Sequence, residues 1–308
     1  MRALVVTNMY PRAQDPARGS FVRDQVESLR RLPATEVEVF SFVSAGPASY
    51  ARAAQELRRR YRGTHFDVVH AHFGLTIWPS LAVAGAPHAV TLHGTDLVDP
   101  RSRLITTAGL PFVALAAPVS ESLMEALPRR AIRGAVEVLP CGVSTARFRP
   151  IDRVEARRSL GLEPERSYLL FPADPARAEK RYDRALELAG DTPLLTLGRV
   201  EPAEVPLWIN SANAVLVTSE RESFGLAALE ALACDVPVLS TPVGAAAEAL
   251  AGIDRVHVGR YELAGWRRML EPLLADPDPR VAGREVAERY SADRMAERVR
   301  DAWTRIAR

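Results

Sequence analysis

Short apolar runs recur along the chain, each followed by a polar loop and then by apolar residues at helical spacing. Arg2–Thr7 reads as a buried strand and Ser20–Arg31 as a helix with Val22, Val26 and Leu29 on one face. The alternation continues through strands over 37–43, 66–72, 89–92 and 136–139, with a helix over 50–62 and another capped by Ser120. It then restarts: strand 168–171, helix 180–189, strand 194–197, helix 206–212, and strands Ala214–Val217 and 236–239 around one further helix. A last amphipathic helix over 291–308 sets Met295, Val299, Trp303 and Ile306 in a stripe. Strands alternating with helices predict an α/β protein with parallel sheets, and 308 residues suit two such domains.

The stretch 218–242 carries the densest chemistry. Ser223 is the expected helix cap, and Gly225 lets another group approach the backbone closely. The amides near Phe224, Gly225 and Leu226 then form an anion site with the helix dipole behind them. Continued as one helix, Glu222 and Glu230 are separated by roughly 12 Å and turned about 80° apart. That spacing suits two hydroxyl-rich sugars joined by a diphosphate.

Composition sharpens this picture at one residue. Of 40 basic residues, Lys180 is the only lysine. An ammonium is a compact point charge with three rotatable donors, suited to phosphate oxygens where a guanidinium fork does not fit. His93 follows the strand over 89–92, at the end of a parallel strand that faces a ligand crevice. His70 and His72 share a strand face, but no Cys or carboxylate at ligand spacing accompanies them, and lining or packing is the expected role. Asp276-Pro277-Asp278 reads as a turn rather than a metal motif.

Net charge is +2, yet residues 1–150 carry 18 arginines against 12 acidic residues, net +6, and the remainder is net −4. A basic first half suits a phosphorylated acceptor or an anionic membrane surface, and not a nucleic acid. Arg52, Arg58, Arg59, Arg60 and Arg62 on the helix over 50–62 form either a solvated face or that membrane contact. The two cysteines, one in each half, read as reduced thiols. The longest apolar run, 110–119, is too short to span a bilayer, and no signal segment opens the chain. The expected location is the cytoplasm, with peripheral attachment to the inner membrane face as an option.

Glu222-x7-Glu230, inside Glu-Ser-Phe-Gly-Leu-Ala-Ala-Leu-Glu-Ala-Leu-Ala-Cys-Asp-Val-Pro-Val-Leu, resembles the donor-site motif of the retaining, metal-independent glycosyltransferases of family 4, which have the GT-B fold. Val-Thr-Leu-His-Gly-Thr-Asp-Leu around His93 is similar to a second motif of that family, whose histidine approaches the donor sugar. Pro140, Gly142, Val143, Phe148 and Pro150 match its crossing between domains, where Cys141 and Ser144 replace the usual Asn and Asp.

The resemblance implies two Rossmann-like domains facing across a cleft: an acceptor-binding domain over 1–152, a nucleotide-sugar domain over 153–290, and a helix over 291–308 packing back on the first. It implies transfer of a hexose from a UDP- or GDP-type sugar to an unidentified lipid, glycan or small molecule, with no metal or other cofactor. On the matching positions, Lys180, Glu222 and His93 are the implied catalytic residues. Gly19, Arg177, Gly198, Arg199, Ser223, Phe224, Gly225, Leu226 and Glu230 are the implied donor-binding residues. Arg177 stands in for the arginine that the family carries at Pro175. Two other readings stay open: an epimerase or hydrolase of sugar nucleotides, and a silent binding scaffold. With no G-x-G-x-x-G after a strand, a dinucleotide oxidoreductase loses its main support.

Overall fold

The computed structural model describes residues 1–198 and 200–307 and divides into two compact units. The first comprises Met1–Gly142 with the C-terminal segment from Ala292, and the second Val143–Ser291. Each is an α/β unit around one parallel sheet.

The first sheet contains β1 (Arg2–Thr7), β2 (Glu36–Ser41), β3 (Val68–His72), β4 (His88–Leu92), β5 (Leu115–Pro118) and β6 (Ala135–Val136), in the order β2-β1-β3-β4-β5-β6. Burial on both faces explains why these runs are apolar without alternation. In β1, Ala3 and Val5 join the core formed with the helices Ser20–Arg31 and Ala292–Ile306. Leu4 and Val6 point the other way, toward Leu57 and Ala53 of the helix Pro47–Arg60. The C-terminal helix contributes Met295, Ala296, Val299, Ala302 and Trp303 to the first of these cores.

The second sheet contains β7 (Leu169–Phe171), β8 (Leu194–Thr196), β9 (Ala214–Val217), β10 (Val238–Ser240) and β11 (His257–Val258), in the order β11-β10-β9-β7-β8. Read from β8, this is the same 2-1-3-4-5 winding that opens the first sheet. Its apolar core runs from Leu169 and Phe171 to Trp266 and Leu270.

Several boundaries differ from the sequence expectation. The helix expected over 50–62 begins at Pro47, because Gly46 turns the chain with φ 87° and proline is well placed in a first turn. The helix expected over 180–189 begins at Tyr182. A 3-10 turn over Ala178–Lys180 precedes it, and Arg181 between them is left-handed, φ 54°.

Candidate active site

Open parallel sheets bind ligands where the strand order reverses, because adjacent loops leave the sheet in opposite directions there. In the second unit that point lies between β7 and β9. The loop after β7 carries Lys180 and the loop after β9 carries Glu222, 42 positions on. Lys180 Nζ lies 2.5 Å from Oε1 and 2.7 Å from Oε2 of Glu222, and Ser219 Oγ donates to Oε1 at 2.7 Å.

Backbone clamps hold the two loops in register. Thr218 Oγ1 donates to the carbonyls of Lys180 and Arg181, at 3.1 and 2.9 Å, and the Glu220 amide donates to the Glu179 carbonyl at 2.9 Å. The Lys180 and Glu222 side chains keep 14% and 13% of their surface, so the charges are confined yet within reach of a ligand. Two of three ammonium donors go to Glu222; the third can meet an anionic oxygen.

The helix after this loop starts later than expected. It spans Leu226–Ala233 and its N-cap is Gly225, φ 89°; no side chain caps it, so Ser223 does not have the expected role. The backbone wins because Gly225 reverses the chain and Gly244 packs on it. A Cβ on Gly244 would sit 2.4 Å from the Phe224 carbonyl oxygen, which accepts from the Ala245 amide at 2.7 Å. Glu222 therefore lies outside the helix and the rise-per-residue estimate to Glu230 does not apply. Glu230 itself is half-buried within the helix. Among the described residues, no backbone group accepts from the amides of Phe224, Gly225 or Leu226, which leaves them for an anion.

Other expected donor residues are placed unevenly. Arg177 is spent on Glu179, at 2.9 and 2.7 Å, and is not joined to Lys180 or Glu222. Gly198 faces the loop after β7, where a Cβ would stand 3.1 Å from Asp174 Cα. Arg199 lies outside the described residues. Asp276 and Asp278 are engaged by Arg255 and by Arg153 and Arg280 respectively.

In the first unit the strand order reverses between β1 and β3. Gly19 closes the long loop after β1 in a left-handed conformation, φ 67°, with its Cα so close to Met9 that a Cβ would lie 2.3 Å from the Met9 carbonyl oxygen. His93 follows β4. Its loop is held by Asp96, which sequence reasoning passed over although it stands within the His-Gly-Thr-Asp string. The buried Asp96 carboxylate accepts from the amides of His93 (3.0 and 3.1 Å), Gly94 (2.7 Å) and Gly74 (3.1 Å). Burial raises its pKa, and those donors pull the other way.

The rings of His70, His72 and His93 form a column of near-parallel planes, with centroid spacings of 4.8 and 5.3 Å, and His72 and His93 meet edge to edge. Trp303 Nε1 donates to His70 Nδ1 at 2.9 Å, His70 Nε2 meets Thr91 Oγ1 at 2.7 Å, and His72 Nδ1 meets His93 Nε2 at 3.0 Å. Burial pushes the pKa values of His70 and His93 down to about 3 and that of His72 well below its ordinary value. All three rings are neutral at pH 7. Burial also raises the thiols of Cys141 and Cys234 to about 12, which disfavours their thiolate forms at pH 7.

The two parallel-sheet units and the paired loops define an α/β protein of the GT-B class. A family model described as Glycosyltransferase Family 4 matches residues 2–147, and one described as Glycosyl transferases group 1 matches residues 160–297. The chain is 31% identical to a D-inositol 3-phosphate glycosyltransferase of Actinosynnema mirum, over 77% of this chain and 72% of that enzyme. It is 28% identical to the protein of that name from Pseudarthrobacter chlorophenolicus, over 78% and 70% of the two chains. Among solved structures, sucrose-phosphate synthase from Thermosynechococcus elongatus superposes with a TM-score of 0.78 at 17% identity, over 99% of both chains. Anabaena HepE in complex with UDP and glucose gives 0.70 at 16%, over 98% of this chain and 99% of that one. The chain belongs to glycosyltransferase family 4 and is a glycosyltransferase.

Proposed function

We propose that the protein transfers a hexose, with retention and without a metal ion, from a nucleoside-diphosphate sugar to a phosphorylated small molecule. The observation that carries this is the Lys180–Glu222 pair at the switch point of the second sheet, beside the uncommitted amides of residues 224–226. The second unit binds the donor and the first the acceptor. Lys180 and those amides stabilise the charge that grows on the leaving diphosphate. Glu222 holds donor-sugar hydroxyls, Glu230 the ribose, and the loop at Gly198 the rest of the donor. Because Arg177 is turned to Glu179, its part requires that this pair open.

The C1–O bond to the diphosphate breaks as the acceptor oxygen bonds C1 on the same face. The acceptor proton passes to the departing phosphate oxygen. Glu222, with both oxygens held by Lys180, is suited to binding rather than to nucleophilic attack. The acceptor class is supported by the relatives named D-inositol 3-phosphate glycosyltransferases and by the +6 charge of residues 1–150. HepE, solved with UDP and glucose, supports a UDP-type donor.

Incubation with UDP- and GDP-sugars and inositol phosphates tests the reading. Transfer that persists in EDTA, with the donor's anomeric configuration kept in the product's proton coupling constants, supports it. Donor conversion at full rate without acceptor points instead to the epimerase or hydrolase.

No helix among the described residues is long and apolar enough to cross a membrane. A second, peripheral contact is favoured by Arg58, Arg59 and Arg62, exposed around a groove of about 950 Å³ that also takes in His65. Sedimentation with anionic vesicles, weakened by salt and by alanine at these three arginines, is the expected outcome.

A further inference from the structure

Among the described residues, the histidine column contains one buried ring nitrogen without a hydrogen-bond partner. His72 is 1% exposed, and its Nε2 has no hydrogen-bond partner among the described residues. We infer that His72 is a positioning residue: it donates Nδ1–H to Nε2 of His93 and thereby fixes the His93 tautomer that carries its proton on Nδ1.

The direction of the 3.0 Å bond between the two rings follows from counting protons. A neutral imidazole has one N–H and one lone pair. If His93 donated, His72 would have to accept at Nδ1 and carry its only proton on Nε2. That N–H would be buried with no acceptor. If His72 donates, its Nε2 is a bare lone pair instead. Buried orphan N–H groups are rarer than under-satisfied acceptors, so the second arrangement wins. Protonating His72 fully would supply both donors, but the ring is buried and has two further imidazoles beside it, which drives it neutral.

His70 does not disturb this assignment because its tautomer is set independently. Trp303 can only donate, so His70 Nδ1 accepts, and the His70 proton lies on Nε2 toward Thr91. His93 is held from its other sides by the Phe21 ring, tilted by 49° with its centroid 4.8 Å away, and by the Asp96 carboxylate on its backbone amide. The one hydrogen bond seen on this partly exposed ring is at Nε2, which leaves Nδ1 for a ligand. The consequence for chemistry rests on the glycosyltransferase reading of His93: the ring offers a ligand a hydrogen-bond donor, directed to a sugar hydroxyl oxygen. It does not offer a base, because Nε2 is occupied and Nδ1 already carries the proton.

The test is the ¹⁵N spectrum of the histidine-labelled full chain at pH 7, without ligand. Proton-on-Nδ1 and proton-on-Nε2 tautomers give distinct ring shifts and couplings. His70 and His88 are internal standards for the second form, since His88 Nε2 donates to the Ser80 carbonyl at 3.0 Å. The expected result is a proton on Nδ1 for both His72 and His93. A His93 proton on Nε2 in the wild-type chain overturns the inference, whether or not any variant folds. In His72→Phe, His93 is expected to shift toward the Nε2 tautomer; in His72→Asn, whose amide can replace the Nδ1 donor, it is expected to return. An unchanged His93 spectrum in folded His72→Phe would equally overturn it. None of these readouts depends on turnover, so failure of the donor assignment leaves the tautomer result interpretable.

Discussion

The residue that concentrates the chemistry is Lys180, and its pairing with Glu222 sets two expectations. Removing one preorganised donor from a confined site costs on the order of 10² to 10³ in turnover. Lys180→Ala is expected to lose that much kcat while its melting temperature stays near wild type; near-normal turnover would remove the proposed mechanism. Glu222→Gln acts differently. The resting ammonium is neutralised by a carboxylate at 2.5 and 2.7 Å, and an incoming diphosphate has to share it. With that carboxylate made neutral, UDP alone is expected to bind more tightly by calorimetry even as transfer slows through loss of the sugar contact. Weaker UDP binding would show that Glu222 supports the nucleotide site rather than competing with it.

At the scale of elements, the site is held by loops packing on loops. Gly244 and Gly225 make a controlled pair. Both are left-handed, with φ of 58° and 89°, so a side chain strains either backbone by about 1–2 kcal/mol. Only at Gly244 does a Cβ also strike backbone, 2.4 Å from the Phe224 oxygen; at Gly225 the nearest atom is 3.7 Å away. Gly244→Ala is therefore expected to destabilise the second unit more than Gly225→Ala, and to disturb nucleotide binding through the displaced 224–226 amides. Equal shifts in the thermal unfolding of the two variants would contradict this account. Sequence reading recognised the apolar face of Ser20–Arg31 and the strand Ala214–Val217 because long-range burial and local pattern agree there. It missed the 3-10 turn at Lys180 and the Gly225 cap because both depend on a neighbouring loop, at Thr218 and Gly244, that is distant in sequence.

For the whole molecule, the buried histidines link stability to pH. His70, His72, His88 and His93 all have folded pKa values below the ordinary 6.5, so below that pH the unfolded chain binds more protons than the folded one. Stability is expected to fall as pH drops from 6.5 toward about 3. Buried Asp96, with a raised pKa, contributes in the opposite sense, stabilising below its unfolded pKa and losing that contribution as pH rises. The carboxylates held low by hydrogen bonds, such as Asp183 and Asp276, act only at more acid pH. Urea midpoints at pH 7 and pH 5 check the sign, and an equal or higher midpoint at pH 5 would mean the column is not closed to protons in solution.

Sequence alone determined the alternation of strand and helix, the two-unit organisation and the family, because burial on both sheet faces and the 218–242 motif leave their marks within short windows. It also singled out Lys180, since one lysine among arginines is visible without coordinates. Tertiary structure decided which groups meet: Lys180 with Glu222 across 42 positions, and Trp303 with His70 across 233. Those encounters follow from strand order and from the return of the C-terminal helix to the first core, and neither is encoded in the spacing of residues along the chain.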